Sequence, residues 1–152
     1  MPQLTIVILQ YRPDAGALRR TLAALAMQDT RDFAVVLGDD GSPQDYFAES
    51  RAYLAAHGIT DVQTVKLMPN GMQNALRAVT TRWVLTLSPG DFLYDSETLR
   101  WWLGRLQADA PRVAFGRQAY FAPGSDPHPI PGETPFDRTP YDPAHYDART
   151  VR

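Results

Sequence analysis

The most informative stretch of the chain is Phe33-Ala34-Val35-Val36-Leu37-Gly38-Asp39-Asp40-Gly41-Ser42. It begins as a short apolar run, which is typical of a strand covered on both faces. Two adjacent carboxylates then end the strand, and because like charges repel, Asp39 and Asp40 need partners such as a base N–H, a ribose hydroxyl or a metal ion. Gly41 permits a tight turn that brings backbone N–H groups to a ligand. The alternative is an ordinary strand-to-helix turn, capped by Ser42, that binds nothing.

Similar apolar runs predict strands over residues 4–9, 62–67 and 83–87, and a last strand over 113–121. Between them, apolar residues at helical spacing predict helices, including one marked by Leu18, Leu22 and Leu25 and others over 44–57 and 96–106. Strands and helices that alternate in this way predict βαβ units and a mainly parallel sheet. The expected fold class is therefore α/β, a Rossmann-like three-layer αβα sandwich.

The composition changes after Phe121. Seven of the 13 prolines lie between Pro123 and Pro143, among aspartates and few aliphatic residues. Such a segment is typically extended or partly disordered. We therefore predict a folded domain over residues 1–121 and a Pro-rich C-terminal segment over residues 122–152.

Composition and charge exclude several classes of function. The net charge of -2 gives no basic surface for nucleic acid. The absence of cysteine excludes disulfides and Cys-based zinc or redox sites, and it fits a cytoplasmic protein. The apolar run at residues 4–9 is too short to span a membrane. We expect the protein to be cytoplasmic and to include the inner face of the membrane among its locations.

Polar clusters follow three of the predicted strands. They are Gln10-Tyr11-Arg12, Asp39-Asp40-Gly41-Ser42 and Ser88-Pro89-Gly90-Asp91. In open α/β sheets, ligands bind beyond the carboxyl ends of the strands. We therefore expect the three clusters to converge on one edge of the sheet.

The order of these features resembles the opening of glycosyltransferase family 2. The resemblance covers residues 4 to 121 and is carried by the strand before Gln10-Tyr11, Thr21-Leu22, Leu25, Gln28, Phe33, the stretch from Val35 to Ser42, Asn70-Gly71, Trp83 to Leu87, Ser88 to Asp91, and Leu99. It implies a GT-A fold and transfer of a sugar from a nucleoside diphosphate sugar.

The resemblance also implies a role for each matching residue. Gln10 and Tyr11 match a turn that packs against the base and ribose, and Asp39 matches an aspartate that hydrogen-bonds the base. Asp40 is expected to order the loop or reach the ribose. Asn70 matches a turn near the nucleotide, although a plain turn explains it equally well.

Asp91 falls where the family carries an Asp-x-Asp-type motif that holds Mg²⁺ or Mn²⁺ on the diphosphate. Ser88 and Gly90 replace the earlier carboxylates of that motif. One carboxylate with phosphate oxygens and water can still hold magnesium. A simple turn or helix-capping aspartate is the alternative for Asp91.

No catalytic base is assigned by the sequence. Inverting family members use a later Asp or Glu as general base, and the late carboxylates here, Glu133, Asp137, Asp142 and Asp147, lack the surrounding family pattern. The leading hypothesis is a glycosyltransferase, inverting, that takes a UDP- or GDP-sugar and a glycan or lipid-linked acceptor in polysaccharide or glycoconjugate synthesis. It would act peripherally at a membrane or paired with another subunit.

Two other hypotheses stay open. The first is a truncated or degenerate GT-A domain that serves as a non-catalytic nucleotide-sugar-binding or interaction module. The second is a nucleotidyltransferase, which the absence of a Gly-rich, lysine-bearing phosphate loop near the first strand disfavours.

Overall fold

A computed structural model of the protein describes residues 1–110. It contains four strands: β1 (Leu4–Gln10), β2 (Phe33–Asp39), β3 (Val62–Lys66) and β4 (Trp83–Leu87). Helices alternate with them: α1 (Ala15–Ala26), α2 (Phe47–Ala56), α3 (Met72–Arg77) and α4 (Thr98–Asp109). The βαβ alternation predicted from the sequence is confirmed.

The four strands form one all-parallel sheet in the order β3-β2-β1-β4. β1 and β2 are central and pair in register from Leu4 with Phe33 to Gln10 with Asp39. Their side chains are buried almost throughout, because neighbouring strands and helices cover both faces. Burial on both faces explains why these two strands are continuous apolar runs in the sequence.

Side chains alternate between the two faces of the sheet, and each face carries its own core. On one face, Ile6, Ile8 and Val35 pack with the leucines of α1, α2 and α4. On the other, Val7 and Val36 pack with Ala75 of α3. Helices therefore flank the sheet on both sides, and the predicted α/β sandwich is confirmed.

One buried side chain joins the end of α1 to the start of α4. Gln28 is 3% exposed, and its amide nitrogen donates to the carbonyl oxygen of Asp95 at 2.7 Å. Its amide oxygen accepts from the N–H of Leu99 at 2.9 Å. The second of these bonds satisfies an N–H that the first turn of α4 leaves without an intrahelical partner.

The predicted helix bounds differ from the observed ones by a few residues, as is usual at helix ends. The strand predicted over 113–121, the segment 122–152 and the late carboxylates Glu133, Asp137, Asp142 and Asp147 lie outside the described residues. Within residues 1–110, no helix combines the length and the apolar character needed to cross a membrane.

Candidate functional site

Three neighbouring strands end in one row of polar side chains. Gln10 is the register partner of Asp39, and Asp39 is the register partner of Lys66. All three occupy positions of the same parity as Ile8, Leu37 and Thr64, so they share one face of the sheet. The carboxyl edge of the sheet thus carries an amide, a carboxylate and an ammonium side by side.

Asp39 is a buried carboxylate held by groups of the protein itself. Its side chain is 2% exposed, and its Oδ2 accepts from the ammonium of Lys66 at 3.0 Å and from the N–H of Ser42 at 3.1 Å. Burial acts to raise the pKa of Asp39, but the hydrogen bonds from Ser42 and Lys66 and the charge of Lys66 outweigh it. The pKa of Asp39 therefore lies below its ordinary value of 3.8.

Two buried oxygens at this edge, Oδ1 of Asp39 and Oε1 of Gln10, have no hydrogen-bond partner among residues 1–110. Buried polar atoms are usually paired, so such a cluster needs an explanation. Gln10 and Asp39 are register partners, so both unpaired oxygens belong to neighbouring residues at the carboxyl edge of the sheet.

Hydrogen bonds tie the loop after β1 to the loop after β2. The N–H of Asp40 donates to the carbonyl oxygen of Gln10 at 2.9 Å, and the N–H of Arg12 donates to Oγ of Ser42 at 2.8 Å. Gly41 has a φ of 90°, in the left-handed region that glycine adopts without strain. The expectation that Ser42 caps α2 is wrong, because Tyr46 is the N-cap residue and Ser42 binds Arg12 instead.

An open cleft of about 480 Å³, including its mouth, lies beside these loops. It is lined by Leu9, Gln10, Tyr11, Asp40, Leu67, Gly71 and Met72. Tyr11 is 57% exposed, and the Arg12 guanidinium lies 5.2 Å from the centre of its ring. The structure thus brings together the predicted residues Gln10, Tyr11 and Asp40. The carboxylate that lines the cleft is Asp40, whereas Asp39 lies buried behind it.

Asn70 lies at the edge of this region. It is exposed, and its amide nitrogen is 3.4 Å from Oδ1 of Asn74. Its neighbour Gly71 lines the cleft, and Asn74 ties α3 to the end of β3 by donating to the carbonyl oxygen of Leu67 at 3.0 Å. The turn predicted at Asn70-Gly71 therefore forms part of one side of the cleft, through Gly71.

Asp91 belongs to a tight turn after β4. Its Oδ2 accepts from the N–H of Ser88 at 2.7 Å, and its side chain is exposed. The buried hydroxyl of Thr21 on α1 fixes this turn, since it donates to the carbonyl oxygen of Asp91 at 2.7 Å and accepts from the N–H of Gly90 at 2.9 Å. Gly90, with a φ of 102°, suits this turn because it has no Cβ.

A divalent metal at this edge would depend on the Asp91 carboxylate within residues 1–110. Within the described part of the chain, no group of three or more His, Cys, Asp or Glu side chains is placed to hold a metal ion. Asp91 offers a single exposed carboxylate, and part of its hydrogen-bonding capacity serves the turn. Mg²⁺ commonly keeps several waters and binds through one or two carboxylates plus phosphates. Asp91 thus fits a metal that is held mainly by a bound diphosphate.

Sequence reasoning did not find Lys66 or Thr21 as members of this edge. The signal for Lys66 was a charged residue near the end of the strand predicted over residues 62–67, where it can face a neighbouring strand end. Thr21 gave no such signal, because it lies within an amphipathic helix and reaches a loop 70 residues away. Its role is visible only in the packed structure.

Comparison with known proteins agrees with this architecture. The chain is similar to the succinoglycan biosynthesis protein ExoW of Rhizobium meliloti (strain 1021), with 38% identity over 71 residues, or 47% of this chain and 22% of that protein. The chain thus spans about a fifth of the length of that relative. No protein-family model matches the chain.

Two solved structures show the same fold. TarS 1-349 of S. aureus, in complex with UDP-GlcNAc, superposes with a TM-score of 0.58 at 21% identity, over 70% of this chain and 31% of that one. The mannosyltransferase PcManGT from Pyrobaculum calidifontis, in complex with GDP-Man and Mn²⁺, gives a TM-score of 0.54 at 23% identity, over 64% of this chain and 30% of that one. The fold is that of GT-A-type glycosyltransferases. The similarity to an N-terminal domain of glycosyltransferase family 2, expected from the sequence, is confirmed.

Proposed function

We propose that this chain binds a nucleoside diphosphate sugar in the cleft beside Tyr11 and Asp40 and is the donor-binding part of a glycosyltransferase. The observation that carries the proposal is the meeting of Gln10, Tyr11 and Asp40 in one cleft at the carboxyl edge of a parallel sheet. The similar proteins TarS and PcManGT are described in complex with UDP-GlcNAc and GDP-Man, which supports a ligand of this class.

The chemistry of the cleft suits the base and the ribose. Tyr11 offers an exposed aromatic ring on which a base can stack. Asp40 offers a carboxylate that accepts hydrogen bonds from a ring N–H, as in uracil or guanine, or from a ribose hydroxyl. In this proposal Asp40 contacts the ligand, and Asp39, for which the family resemblance implies a contact with the base, supports the loop through its bond to Ser42.

Asp91 is proposed to contact a divalent cation on the diphosphate. Mg²⁺ or Mn²⁺, when bound there, would offset charge that develops on the departing nucleoside diphosphate. In the transfer itself, an acceptor hydroxyl oxygen bonds to the anomeric carbon, the bond from that carbon to the diphosphate breaks, and the hydroxyl proton passes to a base. An inverting outcome and a glycan or lipid-linked acceptor remain part of this proposal.

Isothermal titration calorimetry tests donor binding directly. The protein is titrated with UDP, GDP, UDP-GlcNAc and GDP-mannose, each with and without Mn²⁺. We expect saturable binding of at least one uracil or guanine nucleotide and tighter binding with Mn²⁺. If a well-folded sample binds none of them at millimolar concentration, the proposal is wrong.

A second candidate function is a non-catalytic module that binds a nucleotide sugar or a partner protein. It is favoured by Ser88 and Gly90, which stand where carboxylates of the metal motif are expected, and by the absence of a three-ligand acidic cluster within residues 1–110. Release of free sugar or of nucleoside diphosphate from a bound donor separates the two functions. The module predicts binding without release, whereas the transferase predicts slow hydrolysis even when no acceptor is present.

A further inference from the structure

We propose that Lys66 is a positioning residue for nucleotide binding, which acts through Asp39 on the loop that presents Asp40 to the cleft. The inference rests on the proposed function, because its readout is nucleotide affinity. Lys66 does not line the cleft, and it is the only lysine in the chain. Its effect on a ligand must therefore pass through the residues that it touches.

The first step is the contact between Lys66 and Asp39. The ammonium lies 3.0 Å from Oδ2 of a carboxylate that is only 2% exposed, although the lysine side chain itself is 59% exposed. The ammonium also lies 4.8 Å from the centre of the Phe47 ring at the start of α2. The ammonium thus contacts both an aromatic ring and a buried carboxylate, and these two contacts limit the positions available to it.

The second step leads from Asp39 to the loops of the cleft. The oxygen that Lys66 holds also accepts the N–H of Ser42, and the hydroxyl of Ser42 accepts the N–H of Arg12. A continuous chain of hydrogen bonds therefore runs from the end of β3, through the loop after β2, to the loop after β1. Asp40 lies between Asp39 and Ser42, so the chain fixes the backbone on both of its sides.

The third step concerns the charge of Asp39. A buried carboxylate accepts hydrogen bonds strongly only while it is ionised, and Lys66 offsets the cost of keeping it so. Other charged groups on the surrounding elements are Arg12 in the loop after β1, and Asp40 and Asp45 between β2 and α2. The group in ion-pair contact with Asp39 is Lys66. Its loss raises the pKa of Asp39 and weakens the bond to Ser42.

Lysine suits this role better than a side chain that binds both oxygens of the Asp39 carboxylate. Its ammonium is a compact charge that can bind one carboxylate oxygen, whereas arginine tends to bind both. Lys66 and the N–H of Ser42 both bind Oδ2 of Asp39, whereas Oδ1 has no hydrogen-bond partner within residues 1–110.

The test compares Lys66→Met and Lys66→Arg with the wild type and with Arg51→Met. Arg51 is exposed on α2, so the last variant removes one positive charge away from the cleft. The affinity for whichever of UDP or GDP binds more tightly is measured from pH 8 to pH 5. We expect Lys66→Met to weaken binding by about tenfold at neutral pH, the effect of losing a hydrogen bond to a charged group. The loss should grow as the pH falls, while Arg51→Met stays within about twofold of the wild type.

Lys66→Arg should recover part of the affinity, because it restores the charge and a donor, although its guanidinium tends to bind both carboxylate oxygens. A carboxyl carbon NMR titration of Asp39 without ligand gives an independent readout, and its midpoint should rise in Lys66→Met only. Urea unfolding shows whether Lys66→Met folds, and Lys66→Gln serves as a second variant if it does not.

Equal affinity and equal pH profiles for Lys66→Met and Arg51→Met would overturn the role of Lys66 and leave the proposed function intact. A wild type that binds no nucleotide would overturn both.

Discussion

The ammonium of Lys66 lies 3.0 Å from Oδ2 of Asp39, which joins an exposed side chain at the end of β3 to a buried carboxylate at the end of β2. This contact explains how two adjacent aspartates coexist at one strand end. Lys66 offsets the charge of Asp39, and Asp40 is the charged residue among those that line the cleft. The two carboxylates, although next to each other in sequence, therefore have different tasks.

The first prediction concerns the dependence of stability on pH. The pKa of Asp39 is lower in the folded protein than its ordinary value of 3.8, so its ionised form contributes stability above that value. This contribution is lost as the pH falls through the lowered folded-state pKa. Asp39→Asn should be less stable than the wild type at pH 7, and the difference should shrink toward pH 2. Urea unfolding at pH 7 and pH 2 checks this, and a constant difference would contradict it.

The second prediction concerns the aromatic wall of the cleft. Tyr11→Ala should weaken nucleotide binding by about tenfold or more, because stacking of a base on an aromatic ring contributes ~1–3 kcal/mol. Tyr11→Phe keeps the ring and should bind almost as well as the wild type. Calorimetry with the nucleotide that binds the wild type measures both variants. Equal affinity of the alanine and phenylalanine variants would remove Tyr11 from the site.

The third prediction separates two roles of Asp91. Asp91→Asn keeps an oxygen that can accept the N–H of Ser88, so the turn and the stability should survive. The metal contact should nevertheless be lost, and Mn²⁺ should no longer strengthen nucleotide binding. Asp91→Ala should lose both the metal effect and some stability. If Mn²⁺ strengthens binding to Asp91→Asn as much as to the wild type, Asp91 does not contact the metal.

The fourth prediction concerns the support of that turn by α1. Thr21→Val removes a buried hydroxyl that both donates to Asp91 and accepts from Gly90. We expect a loss of about 1–3 kcal/mol in the free energy of unfolding, the cost of unpaired buried polar groups. Thr21→Ser keeps the hydroxyl and should lose less. Urea unfolding of the three proteins gives the comparison, and equal stability of the valine variant and the wild type would contradict the role of Thr21.

Much of the fold follows from local sequence patterns. The runs around Ile6 and Val35 are apolar on both faces, and Leu18, Leu22 and Leu25 repeat at helical spacing. These patterns predict strands, helices and a parallel sheet without knowledge of any contact. The placement of polar residues directly after strands also predicts the edge at which a ligand binds, because all parallel strands end at the same side.

The sequence by itself therefore determined the class of fold, the bounds of the four strands to within two residues and the edge that carries Gln10, Tyr11, Asp40 and Asp91. Only the tertiary structure decided which aspartate of the pair is buried, because this depends on Lys66, 27 residues further along the chain. It also decided that Thr21 holds the turn at Asp91, 70 residues away. Periodicity is a local property of the chain, whereas burial and pairing at a strand end depend on the strand order and register that bring distant residues together.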